Sequence, residues 1–197
     1  MKYKINEIFY SIQGEGKLVG RPCVFVRFAG CNLDCYFCDT NHQDGKYYTK
    51  EELEAEVKKI TKGDTDIYIV LTGGEPTLQL KENEPLFQDY STQIETNGTN
   101  PIPSWIDYIA ISPKTKINLN NINFEGGAFI YAKLIYEDKK SDYIKKLAHE
   151  LANKDIEVYI QPLEVNGKMN TKETIKFVLD NPRFKLSLQV HKLIGVQ

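Results

Sequence analysis

Long apolar runs and an excess of charge of one sign are both absent from the sequence. No stretch approaches the roughly 18 consecutive apolar residues that a membrane-spanning helix needs. The mixed polar residues 1–7 do not form the apolar core of a secretory signal peptide. Because 25 Lys+Arg nearly balance 27 Asp+Glu, nothing indicates a nucleic-acid-binding surface or an acidic tail. We therefore expect a cytoplasmic protein with neither a membrane nor a nucleic acid as its partner.

Cysteine is also scarce, but three of the four cysteines lie within eight residues. Cys31, Cys35 and Cys38 are spaced C-x3-C-x2-C just after the apolar run 23–28, which predicts a buried strand followed by a tight loop. A disulfide framework is not expected in a cytoplasmic chain of this length. Three thiolates on one loop suit three irons of a [4Fe–4S] cluster and leave the fourth iron open to a small molecule.

A structural zinc site is the competing interpretation of this loop. Zinc needs a fourth ligand, for which the sequence offers Cys23 and His42. Cys23 lies inside the predicted strand, where a thiol packs as a small hydrophobe. His42 follows Cys38 by four residues, so spacing alone leaves a Cys3His zinc knuckle open.

The order of predicted elements indicates one α/β domain over residues 1–197. The predicted strands are 8–12, 23–28, 66–72, 92–96, 108–111, 129–135, 156–160 and 184–190. The predicted helices are 49–62, 77–89, 141–153 and 170–181. Right-handed crossovers between such strands produce a mostly parallel, curved sheet. Because a full eightfold barrel needs about 250 residues, we predict a partial (β/α)6 barrel, with one crossover helix, over 114–127, reduced or missing.

Polar residues follow most of the predicted strands at the point where each strand ends. Besides the cysteine loop, these strand ends are Thr72-Gly73-Gly74-Glu75, Glu95-Thr96-Asn97, Ser112-Pro113-Lys114, Gln161-Pro162-Leu163-Glu164 and Gln189-Val190-His191-Lys192. The active sites of such barrels lie at the carboxyl ends of their strands. The pattern therefore predicts a binding face along one rim of the sheet.

Two glycine-rich turns have a functional and an ordinary interpretation. In 73–76 the glycines let backbone carbonyls approach an ammonium group, and Glu75 completes the acceptors or braces the loop. In 13–16 two glycines flank Glu15, which exposes backbone and directs a carboxylate at a polar partner. By local chemistry alone an ordinary hairpin turn is the favoured interpretation of 13–16. A plain turn would also be favoured for 73–76 if the cysteine loop were absent. Lys114 also has two interpretations. It faces a ligand carboxylate at the carboxyl ends of the strands, or it is a solvated surface lysine.

Arg27 is the one charged residue of an otherwise apolar strand. Burying an unpaired guanidinium is costly, so we expect a partner for it. A substrate carboxylate would satisfy it bidentately. A salt bridge to Glu15 is the alternative.

Together these motifs resemble those of 7-carboxy-7-deazaguanine synthases, a family of radical S-adenosylmethionine (SAM) enzymes. The motifs that carry the resemblance are Tyr10-Ser11-Ile12-Gln13-Gly14-Glu15-Gly16, Gly20-Arg21-Pro22, Phe25-Val26-Arg27, Gly30-Cys31-Asn32-Leu33 through Cys38-Asp39-Thr40, Thr72-Gly73-Gly74-Glu75-Pro76, Ser112-Pro113-Lys114, Gln161-Pro162-Leu163 and Gln189-x-His191-Lys192. The resemblance runs from residue 3 to the C-terminus and is weakest over 115–128.

The resemblance implies a [4Fe–4S] cluster, SAM and Mg²⁺ as cofactors. Cys31, Cys35 and Cys38 would hold the cluster, and Thr40 would place Mg²⁺, an ion that keeps several waters. The implied SAM contacts are Phe37, Cys38, Asp39, Gly74, Glu75, Ser112, Pro113, Lys114 and Gln161. The implied substrate contacts are Ile12, Gln13, Gly14, Arg27, Thr72 and Gln197. Glu15 and Arg27 are the implied catalytic residues, with Glu15 accepting pterin N–H groups or acting as an acid or base.

That family rearranges 6-carboxy-5,6,7,8-tetrahydropterin to 7-carboxy-7-deazaguanine with loss of ammonia, a step towards queuosine. A flavodoxin- or ferredoxin-type reductant and a homodimer are implied with it.

Two other functions remain as alternatives. One is a small radical SAM activase of a glycyl radical enzyme, against which Arg27 and the 13–15 turn argue. The other is a non-catalytic zinc or iron–sulfur binding module, which the colour of the purified protein would distinguish.

Overall fold

The computed structural model describes residues 2–115, 117–122 and 127–197 of the chain. The strands are β1 (Lys2–Ile12), β2 (Pro22–Phe28), β3 (Lys46–Thr49), β4 (Tyr68–Gly73), β5 (Thr92–Thr96), β6 (Tyr108–Ile111), β7 (Phe129–Tyr136), β8 (Glu157–Pro162), β9 (Glu164–Val165), β10 (Lys168–Met169) and β11 (Lys185–Leu186). The α-helices are α1 (Lys50–Thr61), α2 (Ser141–Ala152), α3 (Thr171–Asp180) and α4 (Val190–Ile194). None of the helices in these ranges is long and apolar enough to cross a membrane.

A nine-stranded sheet forms the framework, in the order β11-β8-β7-β6-β5-β4-β2-β1-β3. Every neighbouring pair from β2 to β11 is parallel. Six of these parallel strands have four or more residues, and the two-residue β11 adds a seventh at the edge. The predicted α/β class with a mostly parallel, curved sheet is confirmed. Antiparallel pairing of β1 with β2 and of β3 with β1 extends the sheet on its other side, which the sequence did not predict.

The outer face of the sheet carries the apolar core. Leu53 and Val57 of α1 belong to one cluster with Tyr3 and Phe28 of the strands. On the other half of the sheet, α2 and α3 bury their apolar faces against β7 and β8. Because helices cover this face, every second strand residue is apolar, and the opposite face is free to carry polar side chains.

α1 begins at the capping box that the sequence predicts. The Thr49 hydroxyl accepts a hydrogen bond from the Glu52 backbone N–H at 3.2 Å, and the Glu52 carboxylate accepts one from the Thr49 N–H at 2.8 Å. Two of the backbone N–H groups that a helix start leaves without partners are thereby satisfied. The predicted helix over 141–153 corresponds to α2, and the predicted helix over 170–181 corresponds to α3.

The predicted helix over 77–89 is wrong. The chain forms a 3₁₀ turn over Pro76–Leu78 and then irregular turns up to β5. Pro85 has no N–H to donate, and its ring disfavours helical geometry in the preceding residue. Phe87 has φ 57, in the left-handed region, which also interrupts a helix. Leu86 and Phe87 still pack into the core, so apolar content without a helix produced the incorrect prediction.

Two further predictions concern the segment 114–127 and the last strand of the sheet. In the predicted helix-poor segment 114–127, the described residues form one 3₁₀ turn, Leu119–Asn121, while 116 and 123–126 lie outside the described residues. The predicted last strand over 184–190 is too long, because β11 has two residues and Val190 begins α4. The chain leaves the sheet edge there, and the Val190 N–H donates to the Gly14 carbonyl at 2.9 Å.

Candidate active site

A cavity of about 700 Å³ opens at the carboxyl ends of the parallel strands. It gathers predicted site residues from every part of the chain. Those lining it are Ile12, Gln13, Glu15, Arg27, Cys31, Cys35, Phe37, Cys38, Asp39, Thr40, Thr72, Gly74, Ser112, Lys114, Gln161 and Gln197. The other predicted site residues, Gly14, Glu75 and Pro113, lie beside it rather than in its wall. The cavity is large enough for a cofactor and a small substrate together.

The cysteine loop follows β2 and forms one wall of the cavity. Its three thiols are free, with Cys31 and Cys35 half-buried and Cys38 exposed. The Leu33 N–H donates to Cys31 Sγ at 3.4 Å, and the Cys38 N–H donates to the Cys35 carbonyl at 2.9 Å. The loop backbone is therefore folded on itself, and it presents three thiols to one space. This donor set suits a [4Fe–4S] cluster with one open iron.

The two residues that would complete a zinc site do not line this cavity. Cys23 is fully buried on β2, and that burial, with the nearby Glu95 charge, raises the pKa of its thiol to about 12. His42 contributes its backbone carbonyl, which accepts from the Gly30 N–H at 2.6 Å. In the described ranges, no three His, Cys, Asp or Glu side chains are placed to hold a single metal ion.

The Gly73-Gly74-Glu75-Pro76 loop runs directly against the cysteine loop. The Gly74 N–H donates to the Phe28 carbonyl at 3.0 Å, and the Glu75 N–H donates to the Gly30 carbonyl at 2.9 Å. A Cβ atom on Gly74 would lie 1.9 Å from the Gly30 carbonyl oxygen. Close backbone approach therefore requires glycine at this position.

Glu75 is a brace for this loop. Its side chain is fully buried and accepts hydrogen bonds from Thr96 Oγ1 at 2.8 Å and from the Asn97 N–H at 2.8 Å. It also accepts from the backbone and hydroxyl of Thr77. Both carboxylate oxygens are thus occupied within the protein. Of the two roles that the sequence allows for Glu75, the structure supports bracing.

We expect Gly74→Ala to weaken SAM binding by about 5- to 150-fold, because relieving a backbone clash costs about 1–3 kcal/mol and would separate the two loops. Titration calorimetry of the cluster-loaded variant measures the change. Gly167→Ala is the matched control, since Gly167 lies in the β9–β10 turn with open space around it. That control costs about 1 kcal/mol in free energy of unfolding through its φ of +73 and leaves SAM affinity unchanged. Equal SAM affinity in Gly74→Ala and wild type would refute this role for Gly74.

Two polar side chains beside the cysteine loop are suited to a ligand with charged and polar groups. Lys114 Nζ lies 2.5 Å from Ser112 Oγ and 6.0 Å from the Phe37 ring centroid. Burial and the nearby Lys133 charge lower the pKa of Lys114 to about 8. Gln161 is buried, and its Oε1 finds no hydrogen-bond donor among the described residues. An acceptor left open in this way is costly unless a ligand supplies the donor, which fits the amino and hydroxyl groups of SAM.

Arg27 pairs with Glu7, a carboxylate that was not predicted as its partner. Its Nε donates to Glu7 Oε1 at 2.7 Å across the β1–β2 pair, and its guanidinium lies 5.6 Å from the Phe9 ring centroid. The alternative of an Arg27–Glu15 salt bridge is wrong. The second Glu7 oxygen accepts from Gln197 Nε2 at 2.9 Å. Glu7 thus joins Arg27 to the last residue of the chain.

Glu15 instead belongs to a buried charge cluster with Lys133 and Glu95. Lys133 Nζ donates to Glu15 Oε2 and lies 3.4 Å from Glu95 Oε1. Burial alone would raise the pKa of Glu15, but the Lys133 ammonium and the hydrogen bond from Gln189 outweigh it and hold that pKa at about 2. The same contacts outweigh burial for Lys133 and raise its pKa. The Glu15–Lys133 pair therefore stays ionised at neutral pH.

Lys133 was not predicted from the sequence as a site residue, and Glu95 was predicted only to lie at the binding rim, without a role. A signal for Lys133 was present, because it is the one charged residue within the apolar strand Phe129–Tyr136, as Arg27 is within β2. Glu95 Oε2 accepts from the Thr72 hydroxyl at 3.1 Å, which places it beside a predicted substrate contact.

The C-terminal segment 189–197 closes one side of the cavity. Lys192 Nζ donates to Asp39 Oδ2 at 2.8 Å and to Glu164 Oε2 at 2.7 Å, which ties the segment to the cysteine loop. His191 packs so close to Gly14 that a Cβ there would lie 2.1 Å from His191 Nδ1. Gly14 is therefore needed for the segment to reach the turn after β1.

The sequence and the fold are both similar to those of known proteins. Residues 25–180 match the Radical SAM superfamily. The chain is 39% identical over 202 residues to the 7-carboxy-7-deazaguanine synthase of Bacteroides thetaiotaomicron, with all of both chains covered. It is 36% identical over 208 residues to that of Haemophilus influenzae, covering 99% of this chain and 94% of the relative. The crystal structure of QueE from Escherichia coli is similar with a TM-score of 0.72 at 26% identity, over 97% of this chain and 95% of that one.

These relatives are matched over nearly their full length, and the site contains three free cysteines on one loop at the cavity wall. The resemblance seen in the motifs is confirmed. The chain belongs to the 7-carboxy-7-deazaguanine synthase family of radical SAM enzymes.

Proposed function

We propose that the protein converts 6-carboxy-5,6,7,8-tetrahydropterin to 7-carboxy-7-deazaguanine with release of ammonia. One observation carries the proposal: the cavity joins three free thiols on one side to Arg27, Glu15 and Glu95 on the other. The thiols suit a cluster, while an arginine and two carboxylates suit a ligand with one carboxylate and an edge of N–H donors. The reduced cluster and SAM supply the radical chemistry when bound.

The cysteine side of the cavity would hold the cofactors. Cys31, Cys35 and Cys38 would bind the cluster. SAM would lie across the Gly74 backbone, the Ser112–Lys114 strand end and Gln161, with further contacts from the 37–39 backbone. Lys114 offers a cation to the SAM carboxylate, and Gln161 Oε1 offers the acceptor that no described residue uses.

The opposite side would hold the pterin. The substrate carboxylate would bind the terminal nitrogens of Arg27, because Glu7 occupies Nε. Glu15 and Glu95 would accept the ring N–H and amino groups, for which an ionised carboxylate is the stronger acceptor. Thr72 and Gln13 both donate to Glu95, at 3.1 Å and 3.2 Å, and would fix its orientation while contacting the ring. The remaining proposed contacts are Ile12, Gly14 and Gln197.

Mg²⁺ is proposed at Thr40, against the substrate carboxylate. Thr40 and Asp39 both line the cavity, and the Thr40 hydroxyl lies 3.5 Å from Asp39 Oδ1. A hydroxyl with waters and substrate oxygens is a donor set that Mg²⁺ accepts.

The remaining proposals concern the whole protein and its partners. We propose a single catalytic domain over 1–197, a homodimer and a flavodoxin- or ferredoxin-type reductant. The exposed Cys38 supports an electron donor that docks beside the cysteine loop.

An anaerobic assay of the cluster-loaded protein tests the function. It contains SAM, Mg²⁺, a chemical reductant and 6-carboxytetrahydropterin, and mass spectrometry follows the pterin. We expect its conversion to a product lighter by one ammonia with the mass of 7-carboxy-7-deazaguanine. Cluster-loaded protein that leaves the pterin unchanged would refute the proposed substrate.

A further inference from the structure

Lys133 occupies an unusual position for a lysine, because it is buried on an interior strand of the sheet. It lies on β7 with 5% of its surface exposed, and its side chain lines the cavity. Its ammonium group contacts Glu15 on the turn after β1 and Glu95 at the end of β5. Lysine is almost never fully buried unless it is paired, and one cation shared by two carboxylates leaves a net negative cluster.

The two carboxylates need this cation because they are close together in a buried site. Both oxygens that contact Lys133 are within reach of one nitrogen atom. Two neighbouring buried carboxylates without a cation would not both ionise, since burial and mutual repulsion each favour the neutral acid. A neutral carboxylic acid that turns its hydroxyl toward a ring N–H offers a donor where an acceptor is needed.

We propose that Lys133 is a positioning residue that keeps Glu15 and Glu95 both ionised, and therefore able to accept hydrogen bonds from the amino-pyrimidinone edge of the pterin. The inference rests on the proposed function for the identity of the ligand. It assigns Lys133 a role in substrate recognition through the two carboxylates, without requiring contact with the reacting atoms.

Other titratable groups surround the cluster and define the controls. Lys114 beyond β6, His191 of α4, Tyr131 of β7 and Cys23 of β2 all influence Glu15 or Glu95 electrostatically. Gln13, Gln93, Gln161, Gln189 and Thr72 add uncharged hydrogen bonds to the two carboxylates. These surrounding groups are the same in wild type and in the Lys133 variants, so only the difference between variants reports on Lys133.

The test measures binding of 6-carboxypterin, a stable analogue with the same ring edge. Titration calorimetry of the cluster-loaded, SAM-bound protein is run from about pH 5 to pH 7.5, where an ordinary carboxyl in a buried pair would titrate. The variants are Lys133→Gln, which removes the charge, and Lys133→Arg, which keeps it. Wild type and Lys133→Arg should give similar pH profiles. In Lys133→Gln the pKa of one of the two carboxyls should be raised. Below that pKa, the affinity for 6-carboxypterin should fall by up to about tenfold for each unit by which the pH is lowered.

A second variant covers the case in which Lys133→Gln does not fold. The double substitution Lys133→Gln, Glu95→Gln removes one charge of each sign and leaves Glu15 buried without its cation, so the same weakening at low pH is expected. Parallel pH profiles in wild type and in the folded charge-removing variant would overturn the inference, even if affinity were uniformly lower. Failure of wild type itself to bind 6-carboxypterin would overturn the proposed function, and this inference with it.

Discussion

Replacing Cys35 with alanine is expected to abolish both iron binding and turnover, whereas replacing Cys23 with alanine leaves both intact. Cys35 is half-buried at the cavity wall between Cys31 and Cys38, and a cubane with only two protein thiolates loses one of its three attachments. Cys23 is fully buried on β2 and does not line the cavity, so its truncation costs about 1 kcal/mol in free energy of unfolding and no metal ligand.

Iron and zinc content per chain, visible absorbance and product formation measure this contrast. Both variants are reconstituted in parallel with wild type under anaerobic conditions. The account predicts brown, active Cys23→Ala protein and colourless, inactive Cys35→Ala protein. Loss of metal in Cys23→Ala, or stoichiometric zinc in place of iron in wild type, would instead favour the zinc-site interpretation.

Arg27→Ala is expected to raise the KM for 6-carboxytetrahydropterin by about 10- to 150-fold, because Arg27 is half-buried and hydrogen bonds to a charged group contribute about 1.5–3 kcal/mol. The substitution leaves SAM contacts untouched, so SAM affinity is unchanged. Arg27→Lys should recover part of the loss, since a lysine restores the charge without the two-pronged geometry of the guanidinium.

Arg21→Ala is the matched control for Arg27. Arg21 is an exposed arginine whose guanidinium packs 5.1 Å from the Tyr68 ring centroid at the start of β4, the end of the strand remote from the cavity. The control should retain wild-type KM for the pterin and wild-type SAM affinity. An unchanged pterin KM in Arg27→Ala, or an equal rise in both variants, would contradict the carboxylate-binding role. Circular dichroism of both variants checks that the fold is retained.

Much of the fold could be predicted because the parallel strands are short apolar runs that end in polar residues. β4 and β6 follow this pattern, because their residues are mostly apolar and polar residues come at or just after their ends. The irregular segment before β5 misled the prediction because its apolar residues fill the core without any helical hydrogen bonding. β3 was missed because its exposed residues pair only with the edge of β1, a contact set by the path of the chain.

The candidate site was predictable where a local motif carries the chemistry, and not where distant residues meet. The three cysteines and the 73–76 loop are recognisable within a few residues of sequence. The Glu15–Lys133 pair spans 118 residues, and only the sheet order brings the two side chains together. The Arg27–Glu7 pair was similarly hidden, because it depends on the antiparallel register of β1 on β2.

We propose that this site rearranges the pterin with loss of ammonia and that SAM is regenerated after each turnover, as the family resemblance implies. The most direct test counts ammonia released and SAM consumed in one anaerobic reaction of the cluster-loaded protein with 6-carboxytetrahydropterin. The account predicts one ammonia for each 7-carboxy-7-deazaguanine formed, and many product molecules for each SAM lost. SAM cleaved without ammonia release and with intact pterin would contradict it, and would indicate a radical SAM enzyme that acts on another substrate.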